Sequence, residues 1–240
     1  MRSSVNCLAA SLCFLAALCA QEEGTPAPQA DQQKRPADAG ALFAAFAKMP
    51  GLEARYAEEK HLQLLEVPLV SSGRLYFMPP GYLLRAVEAP EKSTLLITPK
   101  ELRMANRDGT EVVDLAQSDR LRVFVTSLVR VFRGDAEELA RQYRVDYLPV
   151  KDDETSWRLE LAPRGRPLDQ MLQRLVLAGS GFAVTEITVV EPNGDRTVTK
   201  IDKADPKRTF DKDERKKLFG VADDRPPQPA AKPDGVEKAR

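Results

Sequence analysis

Reactive side chains are scarce in this sequence. Its three cysteines, Cys7, Cys13 and Cys19, all precede residue 20. If that segment is removed, disulfide scaffolds, zinc–thiolate sites and cysteine nucleophiles are excluded. His61 is the sole histidine and stands between Lys60 and Leu62. No glycine-framed serine elbow accompanies it, because Ser71-Ser72-Gly73 and Gly179-Ser180-Gly181 read as turns leading into strands. Neither a Ser-His-Asp enzyme nor a histidine-based metal site is therefore expected, and no catalytic residue, metal or cofactor is assigned. A charge surplus is missing too: 36 basic and 36 acidic side chains cancel, so no basic face is available to displace counterions from a nucleic acid.

Long apolar runs are absent beyond the N-terminus. Arg2 followed by the apolar stretch Leu8–Leu18 has the form of an export signal, too short for a spanning helix of about 20 residues. Cleavage after Ala20 makes residues 1–20 a signal peptide and leaves Gln21 first, with export to the periplasm. The alternative is lipoprotein processing with Cys19 acylated and the chain anchored to a membrane, although Leu18 stands where a small residue is wanted. Removing residues 1–20 takes Arg2 and no acid, so near-neutrality survives.

Residues 21–38 are rich in Gln, Ala, Pro and acids without a large apolar side chain; such a stretch cannot offset its ordering entropy and reads as a disordered linker. Residues 222–240, with Pro226, Pro227, Pro229 and Pro233, read as a second disordered tail. The folded part is then one domain over residues 39–221. It opens with an amphipathic helix from Gly40 to Met49, closed by Pro50-Gly51. Period-two alternation follows almost to Asp114, interrupted by Val67-Pro68, Pro79-Pro80-Gly81 and Asn106-Arg107-Asp108-Gly109. Leu121, Phe124, Val125, Leu128, Val129 and Phe132 keep helical spacing up to Gly134, and Asp135 with Glu138 starts a second helix. Strands then return at residues 145–150, 157–161, 174–178, 182–191 and 196–201. The acidic clusters Asp152-Asp153-Glu154 and Asp211 to Glu214 read as solvated loops.

So many consecutive strands joined by short connections make an antiparallel sheet that must curl. The fold class is α+β: a curved antiparallel sheet forming an incomplete, half-open β-barrel covered by a few helices. Its apolar concave face would enclose a cavity able to take a hydrophobic ligand.

Leu52-Glu53-Ala54-Arg55-Tyr56, Leu69 to Phe77 (LVSSGRLYF), Pro79-Pro80-Gly81-Tyr82-Leu83, Ala89-Pro90 and Leu95-Leu96-Ile97 resemble the opening half of the periplasmic outer-membrane lipoprotein carrier (LolA) family. Arg174 to Gly181 and Ile187 to Arg196 are similar to later strands of a LolA-like branch linked to lipid, glycolipid or aryl-polyene export. The resemblance covers Ala39 to Phe210. It implies a lid of helices over a cavity for acyl chains, and a monomeric, non-catalytic carrier that takes an acylated lipoprotein or lipid cargo from an inner-membrane exporter to an outer-membrane receptor. The family's lid-latching arginine precedes the proline matched by Pro80; here Met78-Pro79 stand in its place.

Alternation nominates Tyr56, Leu62, Leu75, Phe77, Leu83, Val87, Phe124 and Leu128 as cavity-lining, lipid-binding residues. Arg85 shares the face of Leu83 and Val87 if its strand is regular, which makes it a candidate gate that bonds the lid or a cargo headgroup; a buried charge must find such partners. If the strand reverses phase at Pro80-Gly81, Arg85 is merely solvated. The helix from Leu121 to Phe132 is either a mobile lid or an ordinary buried helix. A non-catalytic structural or protein-interaction module of the cell envelope, with the same fold and a filled core, is the alternative function.

Overall fold

The computed structural model describes residues 34–221; the expected signal peptide and the C-terminal tail lie outside the described residues. Helix α1 (Ala39–Phe46) is capped by the Asp38 carboxylate, which accepts from the Ala41 N–H at 2.8 Å, and it buries Leu42, Phe43 and Phe46. Residues 34–38, read from the sequence as the end of the linker, lie against the domain: Arg35 N–H donates to the Glu154 carbonyl at 3.1 Å, and Tyr147 Oη donates to the Pro36 carbonyl at 2.6 Å. The loop they meet is held locally by Asp153. Its carboxylate accepts from Thr155 and Ser156, which keeps it ionised well below the usual carboxylate range.

Six strands form a first meander: β1 (Leu52–His61), β2 (Leu69–Met78), β3 (Tyr82–Ala89), β4 (Ser93–Ile97), β5 (Glu101–Asn106) and β6 (Gly109–Asp114). After a 3-10 turn at Leu115–Gln117 come α2 (Asp119–Arg133) and α3 (Ala136–Gln142). A second meander follows: β7 (Tyr143–Pro149), β8 (Ser156–Pro163), β9 (Arg174–Ser180), β10 (Ala183–Val190) and β11 (Arg196–Asp205). The first and last strands pair antiparallel, so the described residues form a single sheet in the order β6-β5-β4-β3-β2-β1-β11-β10-β9-β8-β7. It is not closed: β6 and β7 are its two edges. Bulges between Glu53 and Arg55, Ser72 and Gly73, and Val184 and Glu186 add local twist, which curls a sheet of this width. The sheet therefore has the expected half-open form.

Partners across a ladder share a face, so register identifies the lining. Leu52, Phe77, Leu83, Ile97, Leu102 and Val113 form one continuous row, and Tyr147, Leu159, Leu177 and Ile187 another. Helix α2 rests on both. Val125 and Val129 complete the cluster over the first row, while Val131 joins α1, α3, Trp157, Leu159 and Leu161 over the second. Phe124 touches both clusters. Ser118 starts α2 by accepting from the Leu121 N–H, and Gly134 ends it in the left-handed region. A Cβ on Gly134 would lie 2.0 Å from the Phe43 carbonyl oxygen, so only glycine permits this approach of α2 to α1. Within α2, the fully buried Ser127 donates to the Phe124 carbonyl at 2.7 Å and accepts from Tyr143 Oη at 2.8 Å. That bond ties the second half of the helix to the start of β7.

The acidic stretch at Asp211–Glu214 is not the solvated loop expected. It opens a further helix, α4 (Lys212–Phe219), through a capping box between Asp211 and Glu214. Helix α4 sets Phe219 against Tyr76, Met78, Leu84 and Leu96 on the opposite face of the sheet from α2. Burying a phenylalanine there stabilises by about 1.5–3 kcal/mol, which outweighs the charge of the polar side of the helix. Arg208 holds the approach, bonding Glu53 at 2.9 Å and Glu214, with its guanidinium 4.9 Å from the Phe210 ring centre.

Two stability measurements test these contacts. Gly134→Ala should destabilise the domain by about 2 kcal/mol or more in urea unfolding, because strain and steric overlap act together; a change below 0.5 kcal/mol, taken as roughly a neutral surface effect, would contradict the close approach. Burial raises the Tyr143 phenol above its ordinary value, with Ser127 and Arg130 pulling the other way. The folded state then keeps that proton longer than the unfolded chain, so stability is intact below about pH 10 and falls as pH rises toward the folded value. Tyr143→Phe should cost about 1 kcal/mol at neutral pH and remove part of the alkaline slope; an unchanged slope would show that Tyr143 does not titrate there.

Candidate functional site

The centre of the concave face is polar where its two wings are apolar. Across the β1–β11 seam the row Leu159, Leu177, Ile187 continues into Thr199, Glu58 and Ser71. Tyr56, two residues before Glu58 on the same face, lies between Ile201 and Gly73. Strand β3 is paired without interruption from Tyr82 to Val87, so Arg85 shares the face of Leu83 and Val87 and the strand does not reverse phase at Pro80-Gly81. Sequence alternation left that choice open; the register decides it.

Arg85 bonds the sheet and not α2. From Nη2 it donates to Glu58 Oε1 at 2.6 Å and to Ser71 Oγ at 3.1 Å. Thr199 Oγ1 donates to the other Glu58 oxygen at 3.0 Å. The Arg85 guanidinium carbon also stands 4.9 Å from the centre of the Tyr56 ring, within cation–π range. Tyr56 is 4 % exposed, and its phenolic oxygen has no hydrogen-bond partner. Burial raises its titration above the ordinary tyrosine value, opposed by Arg85 and, more weakly, by the nearby Ser71, whose hydroxyl is not placed to complete a bond. The phenol is thus neutral and a ready donor across the physiological range.

An open cleft of about 360 Å³ lies mainly on the other face of the same strands, where Ala57, Glu59, Val70, Ser72, Ala89 and Val198 line it. At the nearby hairpin connection, Leu64 is 96 % exposed, and Val67, Leu69 and Val70 are exposed as well.

The remaining sequence candidates divide into groups. Leu75, Phe77, Leu83 and Phe124 meet in the cluster under α2 that Val125 and Val129 complete. Leu128 packs in the neighbouring cluster with α1 and α3. Val87 shares the concave face and pairs with Gly73 and Ser93, but belongs to neither cluster. Leu62 falls just past the end of β1, where its carbonyl accepts from the Leu65 N–H in a tight turn, so it is not brought to the others. Glu58, Ser71 and Thr199 were not nominated from sequence. The alternation that turns Tyr56 inward also turns Glu58 inward, and that signal could have found it. His61 Nε2 lies 3.4 Å from Glu59 Oε2, and among the described residues no group of histidine, cysteine and acidic side chains is arranged to hold a metal. No helix among them is long and apolar enough to cross a membrane.

Among solved structures, the chain is similar to a LolA superfamily protein from Nitrosomonas europaea (12 % identity, 72 % of this chain and 95 % of that chain, TM-score 0.42). It is similar to a DUF1329 family protein from Desulfovibrio piger (11 % identity, 69 % and 89 %, TM-score 0.40). The MucA/MucB complex of Pseudomonas aeruginosa also matches, at 11 % identity over 70 % of this chain and 56 % of that chain, TM-score 0.40. No curated protein matches. The family model described as outer membrane lipoprotein carrier protein LolA matches residues 47–216, a span running from the end of α1 into α4, and the chain belongs to that family.

Proposed function

We propose that this domain is a periplasmic carrier that takes the acyl chains of a lipoprotein, or of another lipid-like cargo, onto its concave face and ferries them from the inner to the outer membrane without catalysis. An inner-membrane exporter and an outer-membrane receptor would then be its partners. One observation carries the reading: α2 lies across an open curved sheet with Phe124 between two apolar clusters, so displacing the helix would uncover apolar surface on both wings. Each acyl methylene buried there is worth about 0.8 kcal/mol. A tight carrier therefore needs a cover that competes with the cargo, and α2 supplies that competition.

The helix is unevenly anchored. Its second half is fixed by Ser127 to Tyr143 and by Gly134 against α1. The first half makes no such bond among the described residues: Val125 is buried, while Leu121 and Phe124 are only partly so. Opening is expected to lift the first half about the fixed second half.

Two measurements test this. Native mass spectrometry of protein purified from its own cell envelope should find co-purifying lipid or lipoprotein, and Leu75→Glu should weaken an acyl fluorophore by about tenfold or more, the equivalent of about 1.4 kcal/mol. Failure of every hydrophobic probe to bind would instead favour a filled-core interaction module. Hydrogen exchange should be faster in residues 119–126 than in residues 127–133; the reverse order would sink the hinge.

A further inference from the structure

Five of the nine large hydrophobic side chains exposed among the described residues fall in one short stretch, the connection between β1 and β2 and the start of β2: Leu64, Leu65, Val67, Leu69 and Val70. The other hairpin turns at that end of the sheet carry charge instead, at Glu91-Lys92, Arg107-Asp108 and Asp195. The apolar loop is held in place. The Leu65 N–H donates to the Leu62 carbonyl at 3.0 Å, and the Gln63 N–H donates to Asp195 Oδ1 at 2.8 Å. Leu69 and Val70 are neighbours in β2 and so point to opposite faces, yet they are 53 % and 62 % exposed. One projecting hairpin thus turns apolar surface to both of its sides.

We propose that this hairpin is a membrane-contact element, whose Leu64, Leu65 and Val67 enter the interface of a neutral phospholipid bilayer. The contact stands apart from the carrier reading, which it would serve by bringing the domain to the surface where cargo is exchanged. Shape and area select the occupant. A protein partner lying flat on the hairpin covers one side, whereas a lipid phase surrounds both. Fully burying a leucine or valine removes on the order of 100 Å² of apolar surface from water, so these five partly exposed ones offer roughly 300 Å², against about 800 Å² that each partner contributes to a stable protein interface. Charge selects the lipid. Near the tip Lys60 faces Glu191 at 3.5 Å and Arg107 faces Glu91 at 3.1 Å, so no positive surplus draws the loop to an anionic surface. Glu66, the one charged side chain in residues 62–69, keeps the loop at headgroup depth, because a carboxylate is costly to take into hydrocarbon.

The test is flotation of the chain from Gln21 to Arg240 with vesicles of phosphatidylcholine and phosphatidylethanolamine. Wild type should float with them, and raising sodium chloride from roughly 0.1 to 0.5 M should change the bound fraction by less than about twofold, since apolar contact is not screened. Leu64→Asp combined with Val67→Asp should lower the partition coefficient by about tenfold or more and leave thermal unfolding unchanged, both side chains being exposed. Leu148→Asp combined with Val150→Asp, exposed positions at the end of β7, should float like wild type. Wild type that stays at the bottom of the gradient overturns the contact, as does equal flotation of wild type and the Leu64/Val67 variant, or binding confined to phosphatidylglycerol vesicles and lost in salt. A dimer in light scattering that the same two substitutions dissociate would assign the hairpin to a second copy and overturn it too. Acyl-fluorophore binding is read in parallel: its failure in wild type sinks the carrier reading, whereas failure of flotation alone leaves that reading standing.

Discussion

Pairing of β1 with β11 is the contact on which the rest of the molecule depends. It joins the first strand of the described residues to their last, so two local meanders become one sheet and the long connection through α2 and α3 must cross from edge to edge. That crossing lays α2 over the concave face. Without the seam, each half would expose an unpaired strand and the two apolar clusters would have no shared cover. Closing so long a loop costs entropy that only cooperative burial under the helices can return.

The seam also explains why charge appears in the middle of an apolar face. Tyr56 and Glu58 come from β1, Ser71 from β2, Arg85 from β3 and Thr199 from β11. No one of them is satisfied by its own strand, and an isolated arginine or carboxylate there would be strongly unfavourable. Together they neutralise one another, and the phenol alone is left over. This is a different solution from an arginine that holds the covering helix, since Arg85 spends its bonds on the sheet and α2 is held instead through Ser127 and Gly134.

Much of the framework was legible in the sequence because burial on one face of a strand imposes period two and helix burial imposes a wider repeat. Leu83, Arg85 and Val87 could be put on one face, and the spacing from Leu121 to Phe132 marked α2. Helix α4 was not legible: its residues are mostly charged, and only Leu218 and Phe219, with Phe210 just before the helix, reveal that one side is buried. Leu62 failed because alternation carries no information about where a strand stops, and the chain turns one residue after His61.

The sequence by itself determined the near absence of reactive side chains, the balance of charge, the run of alternating strands and the positions of α1 and α2, all properties of local pattern and composition. Only the tertiary structure decided which strands meet at the seam, that Glu58, Ser71 and Thr199 surround Arg85, and that the Tyr56 hydroxyl is left without an acceptor. Those facts depend on residues as far apart as Glu58 and Thr199. Local periodicity fixes which face a side chain takes; the pairing of distant strands fixes which side chains it finds there.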